Sequence, residues 1–235
     1  MSGRSPRRIG ILGGMGPVAT ADFYRKVIDH TMADRDQDHL PVMIWADPRV
    51  PDRSAGLFGG PDPTPWLAEG IAALQAGGCE LLAVPCNTAH AFLGPLVADT
   101  GLELVSIIDA AAAAAVDRGW RRPGILATAG TIRAGLHQNA LSVRGLESLV
   151  PTAEEQQQVD AVIAAVKAGR AAAEEESALV EVAAQLRERG ADGLLSACTE
   201  LVFVLDRTHP PLPVVDPADE LAQLVVARAS ERMGR

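Results

Sequence analysis

Short runs of consecutive apolar residues alternate along the chain with longer segments in which apolar positions return every three or four residues. The first pattern reads as a strand buried on both faces, the second as an amphipathic helix. Strand-like runs fall at Arg8–Leu12, Pro41–Ala46, Glu80–Val84, Glu103–Ile108, Gly124–Thr128, Gly193–Ala197 and Val214–Val215. Helical patterns cover Val18–Met32, Pro65–Gln75, a segment from about Asn87, Asp109–Asp117 and Arg133–Val143. Two more helices share Ala153–Arg189 and part near Gly169; a short one lies near Glu200–Leu205 and a last one at Ala218–Met233. Buried strands separated by helices predict an α/β fold with mainly parallel sheets flanked by helices.

An internal echo refines this reading. Gly10-Ile11-Leu12 recurs as Gly124-Ile125-Leu126, each opening onto a turn of small residues. Cys86 follows the first triplet by 76 residues and Cys198 the second by 74, and each cysteine ends a buried run and is followed by a threonine within two positions. An Ile-Asp or Val-Asp pair, Ile108-Asp109 and Val215-Asp216, then closes a later strand-like run in each half. The pattern predicts two pseudo-symmetric lobes. Residues 1–109 with about 211–235 would form the lobe carrying Cys86, and about 110–210 the lobe carrying Cys198.

Composition narrows the function. The chain has 235 residues, enough for one large domain or two small lobes, and its 48% hydrophobic and 22% charged content is that of a soluble globular protein. A net charge of −9 with no long basic run argues against nucleic acid. No apolar run is long enough to span a membrane. The N-terminal MSGRSPRRIGILGG places basic residues ahead of Ile9–Leu12, a run too short for a signal peptide, so a cytoplasmic location is expected. Three cysteines, with no CxxC pair, disfavour both a disulfide framework and a structural zinc site; no metal is expected.

The two strand-end cysteines carry the chemistry. Ligands of open α/β sheets bind beyond the carboxyl ends of the strands, and a thiol at the start of a following helix is biased towards thiolate. Cys79, at a strand entrance after Gly77-Gly78, lacks this setting and reads as structural. A pair of thiols suits inversion of a stereocentre, one removing the α-proton and the other protonating the opposite face, with roles exchanged in the reverse direction.

Five motifs, GILGGMGPVAT (Gly10–Thr20), DPRVPDRS (Asp47–Ser54), VPCNTAH (Val84–His90), LATAGTI (Leu126–Ile132) and ACTEL (Ala197–Leu201), run in order through nearly the whole chain. Together they resemble the aspartate/glutamate racemase family, most of all its cofactor-independent aspartate racemase branch. The resemblance implies an amino-acid racemase that uses no pyridoxal phosphate or other cofactor, with its active site in the cleft between two similar lobes. It places the catalytic pair on Cys86 and Cys198 and the substrate-carboxylate contacts on Arg53 and Lys167. Asn87, Thr88 and Thr199 would hold the α-carboxylate, and Met15 and Thr131 would line the same site. The implied partner is a small amino acid, aspartate or glutamate, and a homodimer is compatible with it. The chain departs from the aspartate pattern at Ala46-Asp47, where paired asparagines are usual, at Arg49, and at Ala197 before Cys198.

Plainer roles stand beside these. Lys167 could be a solvated charge, and it and Lys26 are the only lysines among 21 basic residues. Arg53 could be a loop ion pair, Glu200 a helix cap or an orienting group, and His90 a structural or an orienting residue; His137 has no assigned role. Three other functions compete. Gly14-Met15-Gly16-Pro17-Val18-Ala19 meets a dinucleotide-binding GxGxxA pattern. A one-cysteine decarboxylase or maleate-type isomerase would keep the fold, and so would a non-catalytic binder of acidic ligands.

Overall fold

A computed structural model describes residues 5–231; Met233, at the end of the last expected helix, and Met1–Arg4 lie outside them. The described chain divides into two units. One comprises the residues up to Ile107 and those from Ala218 on, the other Ile108–Pro217.

In the first unit, β1 (Ile9–Gly13) is buried at every position, as its unbroken apolar run requires. It leads into α1 (Pro17–His30), which starts with proline, a residue whose fixed φ suits a first helical turn. Ala19, Thr20, Phe23 and Val27 form the buried face of α1; a side chain such as Phe23, fully enclosed, is worth about 1.5–3 kcal/mol over leaving it in water. Then come β2 (Val42–Ala46), α2 (Arg53–Leu57), α3 (Thr64–Ala76), β3 (Leu81–Ala83), α4 (His90–Val97) and β4 (Glu103–Val105). The strands form one parallel sheet in the order β2-β1-β3-β4. Helix α3 sits so close to this sheet that a Cβ on Gly70 would fall 2.4 Å from Leu12 and 2.7 Å from Trp45.

The second unit begins in α5 (Ile107–Asp117), whose alanines let it approach Ile125 and Leu195 closely. It continues through β5 (Gly124–Leu126), α6 (Ala129–Ala134), α7 (Leu136–Val143), α8 (Ala153–Lys167), α9 (Ala173–Glu188), β6 (Leu194–Ser196), α10 (Val202–Leu205) and β7 (Val214–Val215). Its sheet is parallel, in the order β5-β6-β7. A capping box of Thr152 and Glu155 starts α8, satisfying helix N–H groups that would otherwise lack partners. Val159, Val162 and Ile163 of α8 and Leu179, Val182 and Leu186 of α9 share one apolar cluster. The final helix, α11 (Pro217–Ser230), returns to the first unit. There the Ala229 carbonyl accepts from the Arg7 N–H at 3.1 Å, and Asp219 meets His30 at 2.7 Å.

The elements depart from the sequence reading in several places. Ile107 and Ile108 are helical rather than strand, because a short buried apolar run has the same pattern in either state. The expected Arg133–Val143 helix is two, α6 and α7, broken at Gly135 with φ +66°, a left-handed conformation that glycine adopts without steric cost. Helix α2 was not foreseen. Finally, β7 pairs with β6 and lies in the second unit, which runs to Pro217, whereas the sequence pattern places residues from about 211 in the first lobe.

The internal echo has a spatial counterpart. Gly10 of β1 pairs with Leu82 of β3, four residues before Cys86, and Gly124 of β5 pairs with Leu194 of β6, four residues before Cys198. The third element of the echo fails, since Ile108-Asp109 lies in α5 while Val215 ends β7.

Candidate active site

In the first unit, β3 hands the chain through Val84 and Pro85 to Cys86, whose N–H donates to the Val84 carbonyl at 2.8 Å. Cys86 is 7% exposed, and Asn87 and Thr88 beside it are buried. The next residues make a tight turn in which His90, Ala91 and Phe92 N–H groups reach back to Asn87, Thr88 and Ala89. Helix α4 therefore starts at His90 rather than at about Asn87, and Cys86 stands outside its first turn, where the helix field has largely decayed.

His90 braces this turn. Its Nδ1 lies 3.0 Å from the Cys86 carbonyl, and its Nε2 lies 3.4 Å from the Ile107 N–H at the start of α5. A backbone N–H can only donate and a carbonyl only accept, so these two contacts suit the tautomer with its hydrogen on Nδ1. Both ring nitrogens face backbone groups, which is an orienting arrangement.

Arg53, the first residue of α2, curls back onto main chain. Its guanidinium donates to the carbonyls of Pro51 (3.1 Å), Val50 (3.3 Å) and Met15 (3.2 Å). Among the described residues no carboxylate pairs with it. Met15 is buried and shares an apolar cluster with Cys86, so the Arg53 contact ties α2 to the cysteine's surroundings. The loop after β1 is packed from within. The Gly14 N–H donates to Thr20 Oγ1 at 2.9 Å, and a Cβ on Gly14, at φ +88°, would fall 2.4 Å from the Asp47 backbone. Close packing thus explains this glycine without a bound phosphate. Asp47 itself is paired with Arg49, whose hydrogen bonds hold the carboxyl below the usual carboxylate range.

In the second unit, Cys198 follows β6 after Ala197 and is 6% exposed. Its Sγ donates to Glu200 Oε2 at 3.1 Å, and Thr199 Oγ1 donates to the same oxygen at 3.2 Å. Glu200 precedes α10, which begins at Val202, so its carboxylate serves the cysteine rather than capping the helix. Burial, and then the nearby Glu200 charge, push the Cys198 thiol well above its ordinary value; Lys167 pulls the other way. The bias towards thiolate expected from a helix start is thus reversed at this cysteine, because desolvation outweighs a four-residue helix.

Lys167 ends α8 with its side chain exposed. The helix is anchored by Gln156, which donates to the Ala127 carbonyl at 2.9 Å, and by Asp160, which accepts from the Ala129 N–H at 3.1 Å. Gln156, Asp160 and Lys167 follow helical spacing along one face, so this tether at the end of β5 also sets where Lys167 stands. Sequence reasoning missed Gln156 and Asp160; a polar pair four apart in a helix carries no signal by itself. Thr131 is fully buried, and its N–H and hydroxyl lie 3.2 and 3.1 Å from the hydroxyl of Thr128, the N-cap of α6.

Cys79 proves to be packing. A Cβ on Gly10 would come 3.1 Å from both its Cβ and its Sγ, and burial raises its thiol pKa. Each unit therefore offers one enclosed cysteine beyond the carboxyl end of an interior strand of its sheet, beside small polar residues. The Asp/Glu/Hydantoin racemase family profile matches residues 12–225.

The chain belongs to the Asp/Glu/Hydantoin racemase family.

This racemase, and so isomerase, is 29% identical over 223 residues to the broad specificity amino-acid racemase RacX of Bacillus subtilis, covering 93% of this chain and 96% of that one. Among solved structures it is similar to the Picrophilus torridus aspartate racemase, with a TM-score of 0.81 and 28% identity over 97% of this chain and 96% of that one. It is also similar to an aspartate racemase homologue from Pyrococcus horikoshii, with a TM-score of 0.78 and 26% identity over 96% and 100% of the two chains. Among the described residues, no helix is long and apolar enough to cross a membrane.

Proposed function

We propose that this racemase interconverts the enantiomers of amino acids, aspartate and glutamate among them, by two-base proton transfer between Cys86 and Cys198 without pyridoxal phosphate or a metal. The observation that carries the reading is the matched placement of the two thiols, each four residues beyond a residue paired with the glycine of a recurring Gly-Ile-Leu strand. In one direction the Cys86 thiolate takes the α-proton and the Cys198 thiol gives its proton to the opposite face of the resulting carbanion. The reverse direction exchanges the roles, so the enzyme ends each turnover with its proton on the other sulfur.

The environment of Cys198 supports its entry as the acid. A buried thiol donating to Glu200 holds its proton, and Lys167 supplies a positive charge that favours the thiolate left after transfer. Arg53, which has no carboxylate partner among the described residues, offers its guanidinium to a substrate carboxylate, and Lys167 is its counterpart. Asn87, Thr88 and Thr199 are small donors suited to the α-carboxylate. The name of the Bacillus relative supports a substrate range wider than two acidic amino acids.

The test is α-deuterium incorporation from heavy water into single-enantiomer amino acids by protein dialysed against chelator. Exchange with inversion and no added cofactor is the expected result. Activity that disappears on dialysis and returns with metal or pyridoxal phosphate would defeat the proposal.

A further inference from the structure

The charged side chains beyond the carboxyl ends of β1 and β2 are held in two different ways. Arg53 is pinned by backbone carbonyls and presents a fixed positive charge. Asp47 and Arg49 are each other's partners: the Arg49 Nε donates to Asp47 Oδ1 at 2.9 Å and its Nη2 to Oδ2 at 2.8 Å.

Within that pair the two members differ in mobility. Asp47 is 7% exposed, and its backbone lies directly under Gly14. Its Oδ1 also accepts the backbone N–H of Arg49 at 2.9 Å, a contact that persists if the guanidinium swings away. The Arg49 side chain is 75% exposed. The acid is fixed and the base is free to leave. Ion pairs with a member so open to solvent are weakly held, so a substrate group can replace one partner at little cost, which a fully buried pair would not permit.

We propose, building on the racemase reading, that the Asp47–Arg49 pair is an exchangeable element that lets one site accept amino-acid side chains of either charge. A side-chain carboxylate draws Arg49 off Asp47 and joins it to Arg53. A side-chain ammonium displaces Arg49 and takes the Asp47 carboxylate. A neutral side chain leaves the pair closed, so that it contributes no net charge. The pair stands next to Met15, one residue along from Gly14, whose carbonyl holds Arg53, which places fixed and exchangeable charges on the same loop cluster.

The test compares wild type, Arg49→Ala and Asp47→Asn by initial rates of α-deuterium incorporation into L-aspartate, L-alanine and L-lysine. The lysine-to-aspartate ratio of kcat/KM should rise about tenfold in Arg49→Ala, which frees Asp47, and fall about tenfold in Asp47→Asn, which frees Arg49. Arg49 projects into solvent, so its variant carries the test by itself should Asp47→Asn fail to fold. A ratio within twofold of wild type in Arg49→Ala overturns the inference while leaving racemisation intact, as does a wild type that exchanges only one charge class. Absence of exchange with all three amino acids overturns the racemase reading and this inference with it.

Discussion

Cys198 gives its thiol hydrogen to the Glu200 carboxylate across 3.1 Å, in a setting where both residues are almost fully enclosed. Through this contact the carboxylate opposes ionisation of Cys198. Replacing Glu200 by Gln removes the charge and keeps the shape. The Cys198 ionisation should then move to lower pH, read by thiolate absorbance in a background lacking Cys79 and Cys86. An unchanged or higher midpoint would show that the Glu200 charge does not oppose this ionisation.

The same shift has a consequence for stability. The Cys198 pKa in the folded chain lies above its unfolded value, so the contribution is fully present below the unfolded pKa, about 8.5. It is lost as pH rises from there towards the folded value, because the unfolded chain ionises first. Denaturant midpoints taken from pH 7 to 10 should fall more steeply for wild type than for Cys198→Ser. Parallel curves would contradict the linkage.

The two thiols are expected to serve opposite faces of the α-carbon. Cys86→Ser and Cys198→Ser should each lose net racemisation, since a hydroxyl is a far weaker base near neutral pH. Abstraction from one enantiomer needs only its own thiolate, so each variant should retain slow deuterium wash-in for one enantiomer, and the two should favour opposite ones. Residual exchange on the same enantiomer in both would sink the two-base scheme.

Arg53 holds its charge without a carboxylate partner among the described residues. A charge-assisted contact is worth about 1.5–3 kcal/mol, so Arg53→Ala should lower kcat/KM for aspartate by about tenfold or more. Lys167→Ala should do the same and in addition raise the Cys198 ionisation. Normal turnover of aspartate by either variant would remove that residue from substrate binding.

Gly14 has no room for a side chain. Its φ of +88° costs an L-residue about 1–2 kcal/mol, and the Asp47 backbone stands where a Cβ would go. Gly14→Ala should therefore shift the Met15 carbonyl that holds Arg53, lowering both thermal midpoint and kcat/KM. Wild-type values for both would show that the loop relaxes freely.

Much of this protein was legible in the chain itself. Buried apolar runs such as Ile9–Leu12 and Leu81–Val84, each set between helical patterns, suit a parallel strand, and the repeat of Gly-Ile-Leu followed by a distant cysteine put Cys86 and Cys198 at matching strand ends. These are local or periodic properties, and the backbone must satisfy them wherever the strand lies. What local pattern could not settle was every feature arising from groups far apart in sequence. The state of Ile107 depends on where the chain turns after β4, and the membership of β7 depends on its partner β6. The tether of α8 depends on Ala127 and Ala129, about thirty residues from Gln156 and Asp160. Even the ionisation of Cys198 was inverted relative to its helix-start position, because desolvation and a neighbouring carboxylate act through space, and only the folded chain brings them together.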